Sequence, residues 1–165
     1  YNQQYFERIK EVIAERSGHN VLMGISDENE TYITFQMTYK EAINALEIAH
    51  IRKKECPVVW NEKIGYWKLL KDMSQQQQCK EFVSKKIDAL IQYDKENESD
   101  LIETLEALVN HLGARNITAT SLYLHRNTLM YRIKKIENLT GYDLSDPESI
   151  LELSLALRLN KFMNH

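Results

Sequence analysis

The chain has 165 residues, 43% hydrophobic and 27% charged, with five glycines, two prolines and a formal net charge of −3. This composition supports a buried core and excludes a disordered, collagen-like or disulfide-framework protein. Cys56 and Cys79 show no C-x-x-C or Cys/His metal spacing, and no stretch approaches the roughly 18 apolar residues of a membrane span, so a reduced, cytoplasmic protein of one or two small modules is expected.

Tyr5, Phe6, Ile9, Val12 and Ile13 recur at helical spacing and predict a helix from Tyr5 to Arg16, ended by Ser17-Gly18. Val21 to Ile25 predicts a short buried strand, Asp27 to Glu30 a polar turn, and the weak alternation of Thr31 to Phe35 a second strand. Ala42, Ile43, Leu46, Ile48 and Ala49 predict a helix over Thr38 to Lys53, with Thr38 and Glu41 spaced as a capping box. Cys56 to Trp60 is a β-rich run, and Ile64 to Met73 a short helix. Helix, strand, helix, strand in succession predicts an α+β layer with its helices on one face of a short sheet.

Gln75 to Gln78 is a polar tract leading into a helix marked by Phe82, Val83, Ile87, Leu90 and Ile91, and Asp94 to Asp100 reads as a linker. Beyond it every segment is helical. Asp100 and Glu103 form a potential capping box for a helix through Leu101, Leu105, Leu108 and Val109, with Gly113 as its C-cap. A last helix opens at Asp146-Pro147 and is apolar nearly all round, so neighbouring helices or a second copy of the chain must cover it. The expected organisation is an α+β part over residues 1–73, a connecting helix and linker over 74–99, and an all-α helix-turn-helix domain over 100–165, mostly helical overall.

Charge is unevenly spread. Residues 1–112 carry 14 Lys/Arg against 19 Asp/Glu and residues 139–165 carry 2 against 4, whereas residues 113–138 carry five basic residues against Glu137 alone. Polyanion binding depends on such local charge rather than on the total. The basic segment reads as a short helix, a turn at Tyr123-Leu124-His125 and a longer helix. Asn116 or Thr118 is placed to cap the first helix, whose apolar face is Ile117, Ala119 and Leu122. Glycine is common at such a turn, so Tyr123 is expected in a left-handed or otherwise awkward backbone conformation.

In the longer helix Leu129, Ile133 and Ile136 share one face, leaving Asn127, Tyr131, Lys134, Lys135 and Asn138 on the other, with Thr128 beside it and Arg126 and Arg132 on its flanks. A helix of this kind fits the major groove of duplex DNA, where arginine pairs with guanine, asparagine with adenine, and lysines hold phosphates. Residues near the helix start reach the bases, which assigns base edges to Arg126, Asn127 and Thr128, and backbone or mixed contacts to Tyr131, Arg132, Lys134 and Lys135. The hydroxyls of Thr118 and Ser121 are placed for phosphates, and His125 for capping or phosphate contact.

The five histidines show no ligand spacing, and there is no P-loop, nucleophile elbow or H-E-x-x-H, so no catalysis, metal or cofactor is predicted. Asp27 with Glu28 and Glu30 reads as a solvated turn rather than a metal cluster.

The run Asn116 to Ile136, above all His125-Arg-Asn-Thr-Leu-Met-Tyr-Arg132, resembles the C-terminal helix-turn-helix of bacterial purine-catabolism and carbohydrate-diacid regulators. The resemblance continues through Leu139 to Pro147 and the final helix, and backward to Leu101. Upstream, Gly24-Ile-Ser-Asp27, Tyr39-Lys-Glu-Ala42 and Ile64 to Leu70 resemble the middle domain of these regulators, related to diguanylate cyclases. The Gly-Gly-Asp-Glu-Phe run of a working cyclase is absent, so the resemblance implies a degenerate scaffold. It further implies a homodimeric regulator of sugar-diacid or purine catabolism that binds duplex DNA. The chain, which opens without methionine, would then be its C-terminal part, with the effector bound by a domain outside this sequence. The alternative is a non-catalytic signalling or dimerisation module that binds a nucleotide or protein partner.

Overall fold

A computed structural model describes residues 3–27, 35–52 and 57–164. They are mostly helical, with one two-stranded sheet, and divide into two compact units, Tyr1–Asp72 and Met73–His165.

The first unit begins with α1 (Gln3–Ser17), β1 (Met23–Ile25), α2 (Phe35–Ile51) and β2 (Val58–Trp60), followed by a 3-10 turn (Asn61–Lys63) and α3 (Tyr66–Ser74), which spans the boundary. β1 and β2 pair in parallel, Met23 beside Val58 and Ile25 beside Trp60. Parallel neighbours require a crossover, and α2 supplies it. Ala45, Ile48 and Ala49 of α2 are fully buried, and Val58 and Val59 of β2 nearly so.

Gly24 lets α2 close on the sheet: a Cβ there would lie under 3.0 Å from backbone atoms of Ala42 and Leu46. Its partner is Val59, so by strand alternation Trp60 points to the opposite face. There Phe6 of α1 meets the Trp60 ring edge-on, centroids 5.1 Å apart. The helices therefore cover both faces rather than one, as a parallel sheet demands. Thr38 is not a cap, because α2 begins at Phe35 and places it inside the helix. The strand expected at 31–35 falls on residues outside those described, except Phe35, which is helical; Glu28, Glu30, Lys53 and Cys56 also lie outside them.

The second unit consists of α4 (Gln77–Asn97), α5 (Leu101–Asn110), α6 (Arg115–Ser121), α7 (Arg126–Thr140) and α8 (Pro147–Met163). α4 and α5 each pack against α7 and α8. Val83, Ile87 and Leu90 line the buried side of α4, facing a core completed by Leu105, Leu108, Ile133, Ile136, Leu153 and Leu159. The apolar stripe of α4 is thus covered by α7 and α8.

The stretch expected as a linker is a tight corner. α4 runs on to Asn97, Glu98 takes φ 48, and the Asp94 carboxylate reaches over to accept the N–H groups of Leu101 at 2.9 Å and Ile102 at 2.8 Å. Asp94 thereby satisfies the α5 N-terminus, and Asp100, the expected cap, makes no capping bond. At α8 the expectation holds: Asp146 accepts from the N–H groups of Glu148 and Ser149, with Pro147 at the first helical position.

Three carboxylates of this unit titrate below their ordinary range. The Ser149 hydroxyl holds Asp146 down, the Ser145 hydroxyl Asp143, and the Lys86 ammonium Glu152. Lys86 is itself raised, first by Glu152 and then by Tyr142. Groups lowered on folding add stability that is present above the ordinary carboxylate pKa, about 4, and lost as pH falls through their native values. The Lys86 contribution is present below its ordinary 10.5 and lost as pH rises through the raised value. The melting temperature is therefore expected to stay level through the neutral range and to fall below about pH 4, gently because these groups are solvent-accessible. Asp146→Asn keeps a cap oxygen without the charge, so its circular-dichroism melts should lose part of that acid slope; an unchanged slope would refute the assignment.

Candidate nucleic-acid interface

α6 and α7 are joined by Leu122 to His125 without a glycine. Tyr123 takes φ 54, as the sequence leads one to expect, and the turn closes as Leu124 N–H donates to the Ala119 carbonyl at 2.9 Å. Ala119, 8% exposed, is the small residue that lets α7 approach. Its partner on the buried face is Thr118 rather than Ile117, which is 57% exposed. Thr118 sits in the core because its hydroxyl donates to the Ala114 carbonyl one turn back, at 3.0 Å. That burial removes Thr118 from any phosphate-contacting surface. Neither it nor Asn116 caps α6, since the N-cap position is Ala114. Ser121 remains exposed, its hydroxyl donating to the Thr118 carbonyl.

His125 is the N-cap of α7, its Nδ1 accepting the Asn127 N–H at 3.2 Å. An accepting Nδ1 leaves the proton of the neutral ring on Nε2. Leu129, Ile133 and Ile136 are at most 1% exposed and seat the helix. Arg126, Asn127, Thr128, Tyr131 and Lys134 all lie on its exposed side, forming one surface over the first turns.

Arg132 and Lys135 are arranged differently. The Arg132 guanidinium bonds Asp100 Oδ2 at 3.1 Å and Thr104 Oγ1 at 3.0 Å, and so ties α7 to α5. The Lys135 ammonium stands 4.4 Å from the centroid of the Tyr93 ring on α4, a cation–π contact. Both hold α7 in place. Asp100, Thr104 and Tyr93 are the supporting residues that sequence reasoning missed, and no periodicity could have found partners so distant in the chain. Arg115, counted in the basic segment without a role, points its Nη1 at the Met130 sulfur of α7, 3.9 Å away.

Among the described residues no group of three or more His, Cys, Asp or Glu is placed to hold a metal ion, and no helix is long and apolar enough to cross a membrane.

A short helix, a tight turn and a longer basic helix resting on two further helices define a helix-turn-helix domain. Residues 101–159 match the family described as the PucR C-terminal helix-turn-helix domain. It is 30% identical over 142 residues to the proline-responsive transcriptional activator PutR of Bacillus subtilis (strain 168), covering 86% of this chain and 34% of that protein. It is 28% identical over 160 residues to the purine catabolism regulatory protein of the same strain, covering 97% and 30%. The carbohydrate diacid regulator of Escherichia coli (strain K12) is 39% identical over 66 residues, 40% of this chain and 17% of that protein. The chain thus spans about a third of the length of the first two relatives, whose likeness reaches upstream of the matched domain.

Proposed function

We propose that the chain is the C-terminal part of a bacterial transcription regulator of a catabolic pathway, cytoplasmic and not an enzyme, and that it reads duplex DNA with α7. The observation that carries this is the exposed cluster Arg126, Asn127, Thr128, Tyr131 and Lys134 on a helix whose opposite face is locked in the core. Arg126, Asn127 and Thr128 reach base edges, while Tyr131, Lys134, Ser121 and the Nε2–H of His125 hold the backbone. Arg132 and Lys135 act as positioning residues. The DNA-binding module includes α4, which completes its core. The regulator works as a homodimer on half-sites one helical turn apart, roughly 34 Å. Residues 1–73 act as a degenerate, non-catalytic cyclase-like scaffold, and the effector binds a domain outside this chain.

Fluorescence anisotropy with a mixed-sequence duplex across a salt series tests the reading, since phosphate binding weakens steeply as salt rises. On a selected site Arg126→Ala is expected to cost about 1 to 3 kcal/mol and relax sequence preference, whereas Lys134→Ala weakens all duplexes alike. No binding at low salt would overturn the reading; identical losses on every sequence would overturn the division of roles.

A further inference from the structure

Tyr123 holds φ 54, in the left-handed region that glycine and asparagine adopt readily and an aromatic residue does not. Its side chain returns nothing to the fold for that strain. It is 96% exposed, and among the described residues its ring and hydroxyl have no hydrogen-bond or ring partner. Only its backbone is engaged, the N–H donating to the Thr120 carbonyl at 3.1 Å. Tyr123 also stands two residues ahead of the His125 cap, beside the end of α7 that carries Arg126, Asn127 and Thr128.

We propose that Tyr123 is a further DNA contact, its phenol O–H donating to a backbone phosphate oxygen while its ring lies on the neighbouring deoxyribose. This rests on the DNA-binding reading above and adds to it a residue that carries no charge. A tyrosine suits the role because its flat, two-torsion side chain offers an apolar body and a polar tip at little entropic cost. The contact is with the backbone, so it adds affinity without sequence preference.

The test sets Tyr123→Gly, Tyr123→Asn and Tyr123→Phe beside Arg126→Ala in the full chain, reading both melting temperature and anisotropy with a mixed-sequence duplex. Glycine and asparagine fit the backbone, so both variants should melt at or above the parent temperature while binding the duplex more than tenfold more weakly, about tenfold for the lost hydrogen bond to a charged group and the rest for the lost ring contact. Tyr123→Phe, which keeps the ring and loses the hydroxyl, should fall between them and the parent. If Tyr123→Gly and Tyr123→Asn bind as the parent does while Arg126→Ala loses affinity, the inference fails and the DNA-binding reading stands. If both variants melt lower than the parent, the ring serves the fold and the inference fails. If the parent chain binds no duplex, the reading itself fails and this contact with it.

Discussion

Truncating Ile136 to alanine should lower the stability of the second unit by about 2 to 5 kcal/mol, the range for deleting a fully buried branched side chain. Ile136 is 0% exposed on α7, in a stripe with Leu129 and Ile133 that faces α4 and α5. Domains of this size are stable by about 5 to 15 kcal/mol, so the loss is a large share of the total. Duplex binding should weaken as well, though every basic residue is intact, because that stripe orients the exposed face. Urea denaturation followed by circular dichroism checks this, with Ile117→Ala as the control. Ile117 is as apolar but 57% exposed, so its truncation should stay within about 0.5 kcal/mol. Equal effects at the two positions would mean that α7 is not seated as described.

Gly24→Ala should damage the first unit by about 3 kcal/mol, the upper end of overpacking costs. The atoms that an added Cβ would strike, in Ala42 and Leu46, are backbone and cannot rotate aside, so β1 and α2 must separate. Their separation would expose Ala45, Ile48 and Ala49, which are fully buried. Gly18→Ala makes the contrast: nothing lies within 4 Å of its added Cβ, and the cost there is only that of holding alanine at φ +69, about 1 kcal/mol. Thermal melts of both variants distinguish steric obstruction from backbone strain, and a Gly24→Ala protein that melts like the parent would refute the close approach.

The helices were legible because their signals are local. The apolar spacing along α1, α4, α5 and α7, and the Asp146-Pro147 start of α8, need no distant partner to be recognised, and the structure places helices at each. Helix capping was less legible, because any carboxylate within reach satisfies an N-terminal N–H. Thr38-x-x-Glu41 and Asp100-x-x-Glu103 had capping spacing, yet α2 starts ahead of the first, and Asp94 displaced the second by reaching across the corner between α4 and α5. The one-faced sheet failed for a related reason: a parallel pairing exposes two faces, and only the register at Gly24 and Trp60 tells which helix each receives.

Sequence alone determined that α7 has an apolar stripe and a basic, donor-rich opposite side, since a period of 3.6 residues fixes which side chains share a face. It could not determine which of those donors remain available to a ligand. Arg132 finds Asp100 and Thr104, 32 and 28 residues away, and Lys135 finds the Tyr93 ring, while on α6 Thr118 turns into the core. Ion pairs, ring contacts and burial depend on distances between segments far apart in the chain, and those distances exist only once α4, α5 and α7 have packed together.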